Sequence, residues 1–215
     1  MATETSLRED EKSIRLFKSD FLEFFTHISP ITVLVVFLPL IGFLIWRSAQ
    51  QNPGAWWNVL ISFLIGLAIW PLAEYLLHRF LFHWQPKDPG PSTQRFLFLM
   101  HGVHHATPRD KTRLVMPPVV SLPMAAIFYL LFWLVAGKLL AAPNFVDGLL
   151  AGFLFGYLNY DMTHYALHHF HINSAYFRKL RRHHMAHHFK DHTTRFGVST
   201  WFLDNILRQI LQNKS

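Results

Sequence analysis

Residues 56–83 read W-W-N-V-L-I-S-F-L-I-G-L-A-I-W-P-L-A-E-Y-L-L-H-R-F-L-F-H. From Trp56 to Leu77 the one charged residue is Glu74, near the end. A hydrocarbon core takes about 20 apolar residues in helical form, and this run is long enough. It ends in two histidines, His78 and His83. One segment thus joins an apolar helix to imidazoles at its tip.

Three further apolar stretches flank it: Pro30–Trp46, Val119–Ala136 and Phe145–Tyr160, the last carrying Asp147. Each is at or just below the lower length limit for a span, so a shallow hairpin is an alternative for some. Between the first and second stretches stands Arg47, and between the third and fourth Lys138. The other eighteen of the 20 Lys and Arg lie in 1–29, 78–118 and 161–215. If all four stretches span, those regions share one side, and the positive-inside rule makes it the cytosol.

The composition agrees. Of 215 residues, 51% are hydrophobic and 15% charged, against roughly 25% charged in soluble domains. The net charge of +7 permits nucleic acid or an anionic membrane surface. Its placement beside apolar stretches favours the membrane, and no nucleic-acid motif accompanies it. The polar start is not a secretory signal peptide. Phe17, Phe21, Leu22, Phe24 and Phe25 predict an interfacial helix before Pro30. Gly148, Gly152 and Gly156 recur every fourth residue, a face suited to close helix contact.

Cysteine is absent and histidine occurs 15 times. The chain therefore has no disulfide, thiolate site or cysteine nucleophile. Fourteen histidines fall on the basic side, none inside an apolar run. Twelve of them form H-R-F-L-F-H (His78, His83), H-G-V-H-H (His101, His104, His105), H-Y-A-L-H-H (His164, His168, His169) and H-H-M-A-H-H (His183, His184, His187, His188). Helical residues three and four apart share a face, so each H-x2-H-H unit, and His164 with His168, can present imidazoles together. His78 and His83 are five apart, about 140° on an α-helix, and converge only if the helix ends or bulges between them. Ten imidazoles exceed one zinc site and suit two ions with four or five nitrogens each. No H-E-x-x-H zincin motif is present. Imidazole accepts zinc, copper, iron or nickel; a redox reaction beside a bilayer favours a pair of irons acting on O2. A membrane metal-binding or transport protein is the competing class, disfavoured because the histidines sit at helix ends on one side.

The pattern H-x4-H, H-x2-H-H, H-x2-H-H resembles the fatty acid hydroxylase/sterol desaturase superfamily. The likeness is greatest to its fatty acid (sphingolipid) 2-hydroxylases. It is carried by Glu74–His83, His101–His105, Arg113-Leu-Val-Met-Pro-Pro118, Tyr160–His169, His183–Phe189 and Phe196-Gly-Val-Ser-Thr200, with Lys18–Phe24 upstream. The histidine motifs are shared with sterol oxidases, desaturases and carotenoid hydroxylases; the R-L-V-x-P-P and F-G-V-S-T segments narrow the choice. Trp201-Phe202-Leu203-Asp204 departs from the family's Leu-Trp-Asp-like end.

The resemblance implies an all-α integral membrane fold of about four transmembrane helices, capped by a cytosolic histidine-rich di-metal domain. It implies O2-dependent hydroxylation at C2 of a long acyl chain, in a ceramide, another sphingolipid or a free fatty acid. Hydroxylation of another amino-lipid, sterol or carotenoid is the alternative. The expected division is an interfacial segment 1–29, a hydroxylase domain 30–205 and a tail 206–215. Expected ligands are His78, His83, His101, His104, His105, His164, His168, His184, His187 and His188, of two irons or, in purified protein, zinc. His169 and His183 are the substitutes; His27, His171 and His192 stand outside. Asp161 and Glu74 are expected to orient imidazole N–H groups. Tyr160 and Tyr165 belong either at the interface or near the metals. Arg109, Lys111 and Arg113 face lipid head groups or a solvated loop. About 29 residues precede the first apolar stretch and no H-P-G-G haem motif occurs, so a separate electron donor is expected, cytochrome b5 or a ferredoxin. The membrane is a bacterial inner membrane or the endoplasmic reticulum.

Overall fold

A computed structural model describes residues 13–212, with side chains to residue 207. The first twelve residues of the expected N-terminal segment and the last three of the tail lie outside it. Every regular element among the described residues is a helix. Helix α1 is Asp20–Phe24, α2 Pro30–Gln51 and α3 Trp56–Leu77, which continues as a π-turn over His78–Phe82. Helix α4 is Pro91–Leu97, followed by a π-turn at Phe98–Gly102 and a last turn at Val103–Ala106. Helix α5 is Pro118–Phe132, extended by a π segment over Trp133–Leu139. Helices α6, α7 and α8 are Val146–His169, Ala175–Phe189 and Trp201–Gln212. The last crosses the 205/206 boundary drawn from sequence.

Start signals are local. Ser29 caps α2, its hydroxyl accepting from the Thr32 N–H at 3.2 Å, with Pro30 at the first helical position. Ser174 caps α7 in the same way. Of the Phe17–Phe25 stretch only Asp20–Phe24 is helical, as α1, with Phe21 and Phe24 exposed and Glu23 turned inward.

Three helices are long and apolar enough to cross a membrane: Pro30–Gln51, Trp56–Phe82 and Pro118–Leu139. The fourth apolar stretch does something different. It forms α6, the buried centre of the bundle, packed chiefly against α3 and α2. Its glycines permit this. A Cβ on Gly148 would lie 1.9 Å from Ser62 Oγ, and one on Gly152 1.8 Å from the Phe63 carbonyl oxygen. A Cβ on Gly66 of α3 would lie 2.0 Å from the Leu149 oxygen. The two backbones are thus in direct contact, as the four-residue glycine spacing predicts.

The helix ends sort into two poles. At one, Gln51 donates to Asp147 at 2.7 Å and Arg47 reaches the same carboxylate at 3.1 Å. Asn52 bonds Asn144 there. At the other pole lie the ends of α3, α4 and α6, the start of α5, and all of α7. Every histidine motif is at this second pole.

Candidate metal centre

The end of α3 resolves the five-residue problem. The His83 N–H bonds the His78 carbonyl at 3.0 Å, an i→i+5 bond. This wider turn swings His83 back over His78, and their ring centroids are 4.9 Å apart. A second π-turn bonds the Val103 N–H to the Phe98 carbonyl just before His104.

The ten expected residues come together as two groups of five. His78, His83, His101, His105 and His187 form one; His104, His164, His168, His184 and His188 form the other. Within each, one ring nitrogen per residue lies within 4.8 Å of every other. The grouping follows helix geometry. In H-x2-H-H, the first and last histidines are about 40° apart around the axis, while the middle one lies about 60° to the other side. Accordingly His101 and His105 share a group, as do His184 and His188, and also His164 and His168. The middle members cross over: His104 joins the group from the second half of the chain, and His187 joins that from the first. The expectation that each H-x2-H-H unit points one way is corrected on this point.

The converging atoms are Nε2. In the first group His101 Nε2 lies 3.1 Å from both His78 and His105 Nε2, and His187 Nε2 lies 3.0 Å from that of His83. In the second, His104 Nε2 lies 3.0 Å from those of His164 and His188, and His184 Nε2 lies 2.8 Å from that of His168. Protons do not account for this convergence. His78 Nδ1 lies 2.6 Å from the Phe196 carbonyl and His187 Nδ1 2.6 Å from the Thr194 carbonyl. A carbonyl only accepts, so both Nδ1 atoms carry hydrogen and both Nε2 atoms present bare lone pairs. Lone pairs facing inward from five sides suit a cation.

Spacing bears on which kind. With metal–nitrogen bonds of about 2.0–2.1 Å, ligand atoms at right angles stand about 3.0 Å apart, and tetrahedral ones about 3.3–3.4 Å. The shortest contacts, 2.8–3.1 Å, fall near the right-angle value, and five donors per group exceed the four of a closed tetrahedral zinc site. Outside the spans, His83 and His105 favour the neutral form that ligation requires. Burial first, then the neighbouring His187, lowers His83 and His105 to about 3.

The other expected residues divide. His183 Nε2 meets the Asp204 carboxylate at 3.1 Å, and His169 packs on Tyr165; neither joins a group. Asp161 and Glu74 are fully buried, but no imidazole bonds either one, which corrects the expected role. Asp161 accepts from the Met116 N–H and the Tyr157 hydroxyl, each at 3.3 Å. Glu74 accepts from the Val198 and Ser199 N–H groups at 2.6 and 2.8 Å, and from the Ser199 hydroxyl. Tyr160 is buried, its ring centroid 5.7 Å from that of His164. Arg113 is turned inward. Its side chain is 2% exposed and pairs with Glu23 and Asp110. It also reaches Ser13 and His27. The sequence reading missed Asp204, which accepts the Phe196 and Gly197 N–H groups at 2.7 and 2.8 Å. The signal available was an acid four residues beyond the F-G-V-S-T turn.

A cavity of about 440 Å³ reaches the centre. Its walls are mostly apolar, among them Phe25, Leu99, Met100, Val115 and Val119, and they include His101, His104 and His164. It therefore opens on histidines of both groups.

Comparison with known proteins agrees with this arrangement. A family model described as fatty acid hydroxylase matches residues 63–209. The chain is 36% identical to the fatty acid 2-hydroxylase of Rattus norvegicus over 95% of its own length and 58% of the relative's. It therefore spans little more than half of that protein. It is 36% identical to the dihydroceramide fatty acyl 2-hydroxylase FAH2 of Arabidopsis thaliana, covering 89% of this chain and 78% of that one. The solved structure of full-length scs7p, in which only the hydroxylase domain is visible, superposes with a TM-score of 0.79 at 35% identity. That match covers 87% of this chain and 69% of the other. The matched span holds both histidine groups and the helices that carry them, and the chain belongs to the fatty acid hydroxylase family.

Proposed function

We propose that the chain is a membrane-bound oxygenase that hydroxylates C2 of a long acyl chain, carried by a ceramide, another sphingolipid or a free fatty acid. The observation that carries this reading is the mostly apolar cavity lined by histidines of both groups. The relatives' names, a fatty acid 2-hydroxylase and a dihydroceramide fatty acyl 2-hydroxylase, point to the same substrate class.

The ten grouped histidines would hold two ions, which we read as iron. Such a pair supplies the O2 activation and hydrogen abstraction that no side chain can perform. The protein's own part is positional. Phe25, Leu99, Met100, Val115 and Val119 line a dry channel for an alkyl chain and keep water from the reacting carbon. Imidazoles alone would hold the ions, since both groups are all histidine. The basic excess at the histidine pole supports a cytosolic position for it, where a separate donor such as cytochrome b5 or a ferredoxin would deliver electrons. The polar head of the lipid stays at that interface while its acyl chain enters from the bilayer.

The test is lipid profiling of a host expressing the wild type and His104→Ala. Gain of 2-hydroxy acyl chains with the wild type alone is the expected result. Hydroxyl groups at another carbon, or none with either protein, would sink the reading.

A further inference from the structure

Among the described residues, the loop Thr194–Ser199 hydrogen-bonds to one histidine group and not to the other. Its Thr194 and Phe196 carbonyls accept from His187 and His78, both of the first group. Its N–H groups are held by two carboxylates from distant parts of the chain. Asp204 of α8 takes those of Phe196 and Gly197; Glu74 of α3 takes those of Val198 and Ser199.

One peptide unit is decisive. The Phe196 carbonyl and the Gly197 N–H belong to the same rigid plane and point in opposite directions. When Asp204 grips that N–H at 2.8 Å, it aims the carbonyl at His78 Nδ1, 2.6 Å away. The chain of bonds runs from carboxylate through peptide to imidazole, and each link polarises the next. Glu74 stands one helical turn before His78, so α3 meets the loop twice, through Glu74 and through His78. Gly197 makes room for this, since a Cβ there would lie 2.8 Å from Asp204 Oδ2. In the second group, Nδ1 of His104, His184 and His188 is buried with no hydrogen-bond partner among the described residues.

We propose that this loop is a clamp for the His78 group alone, and that Asp204 and Glu74 are positioning residues that act through it. The inference rests on the reading that each group holds an ion. The clamp fixes which nitrogen of His78 and His187 carries hydrogen and where each ring points. Loss of such support typically lowers metal affinity about 10–100-fold.

The experiment uses the purified full chain in detergent, loaded anaerobically with ferrous iron and dialysed against graded chelator. Iron per chain is counted by mass spectrometry, and helix content is followed by circular dichroism. The wild type retains two ions. In Asp204→Asn, which keeps the side chain's size, one ion is lost at about 10–100-fold lower chelator and the other at the wild-type concentration. Glu74→Gln weakens the same single ion. Ser199→Ala, which deletes one hydroxyl contact, shifts that ion by less and carries the test should Asp204→Asn not fold. Two ions held as in the wild type, or both weakened equally in folded protein, would overturn the clamp. A wild type that binds no iron would overturn the metal reading beneath it, and the clamp with it.

Discussion

The two histidine groups contain the same number of imidazoles but are held in different ways. The His78 group draws on a π-turn, the H-G-V-H-H unit and one visitor from α7, and is braced by backbone carbonyls of a loop. The His104 group is built mainly from two i,i+4 pairs on α6 and α7, with one visitor from the end of α4. Its shape follows from where α6 sits in the bundle. Loop carbonyls thus brace two rings of the first cage, while helix packing places most of the second. Disturbing the loop should injure one, and disturbing the bundle the other.

The strongest way to break this comparison is to remove the two crossing residues. His104→Ala and His187→Ala should each abolish product, a fall of more than about 100-fold, since a lost ligand costs more than lost outer support. Each should keep one ion, and adding Asp204→Asn should separate them by weakening the ion left in His104→Ala and not the one left in His187→Ala. His104→Ala should spare the ion held with His78, and His187→Ala should spare the ion held with His164. If His104→Ala instead weakens the ion shared with His101 and His105, the crossed grouping is wrong.

A second test acts on packing. Gly152→Leu places a side chain where the Phe63 carbonyl already stands. Overpacking of this kind costs about 1–3 kcal/mol or more, and it should move α6 with His164 and His168. The expected outcome is a lower thermal midpoint in detergent and earlier loss of the His104-group ion. Gly42 of α2 has open space around its Cα, so Gly42→Ala should hold or raise stability by up to about 1 kcal/mol.

A smaller effect sharpens the view of the segment that closes the cavity. Burial pushes the Glu23 carboxyl up, but the Phe17 N–H, the Arg113 guanidinium and the Leu16 N–H outweigh it and hold it at about 2, below its ordinary 4.5. A group with a depressed folded-state value stabilises the fold above its unfolded value and loses that contribution as pH falls. Stability of the 13–28 segment should therefore be constant above pH 4.5 and decline from there toward pH 2. Proteolysis at Leu16–Phe17 across that range reads it, and Glu23→Gln should remove the dependence. An unchanged profile in Glu23→Gln would assign the transition to other carboxylates.

The smallest effect is expected at His169, which stands beside the second group without joining it. His169→Ala should keep two ions and more than about half of the product, because surface-side changes away from a site cost little. Loss of an ion there would return His169 to the ligand set and reopen the count of five.

Much of this was legible in the chain itself. Hydropathy located the helices, because a run of that length without charge has few other uses. The i,i+4 histidine pairs announced shared faces, and the glycine spacing announced a close helix contact. Local sequence could not show that the fourth apolar stretch becomes the covered centre of the bundle, because burial depends on what surrounds a helix. Nor could it show Arg113 turned inward, since its partner Glu23 lies 90 residues away.

The sequence by itself determined that ten imidazoles would gather at one pole of an apolar helical bundle. Periodicity and the side of each motif are properties of single helices, and they can be counted along the chain. Tertiary structure alone decided how those ten divide. The middle histidine of an H-x2-H-H unit points away from its neighbours, and where it lands depends on the helix that is brought against it. The packing of α4 and α7 sends His104 one way and His187 the other. The same is true of Asp204, whose carboxylate has meaning only once the chain returns to place it on the peptide that aims at His78.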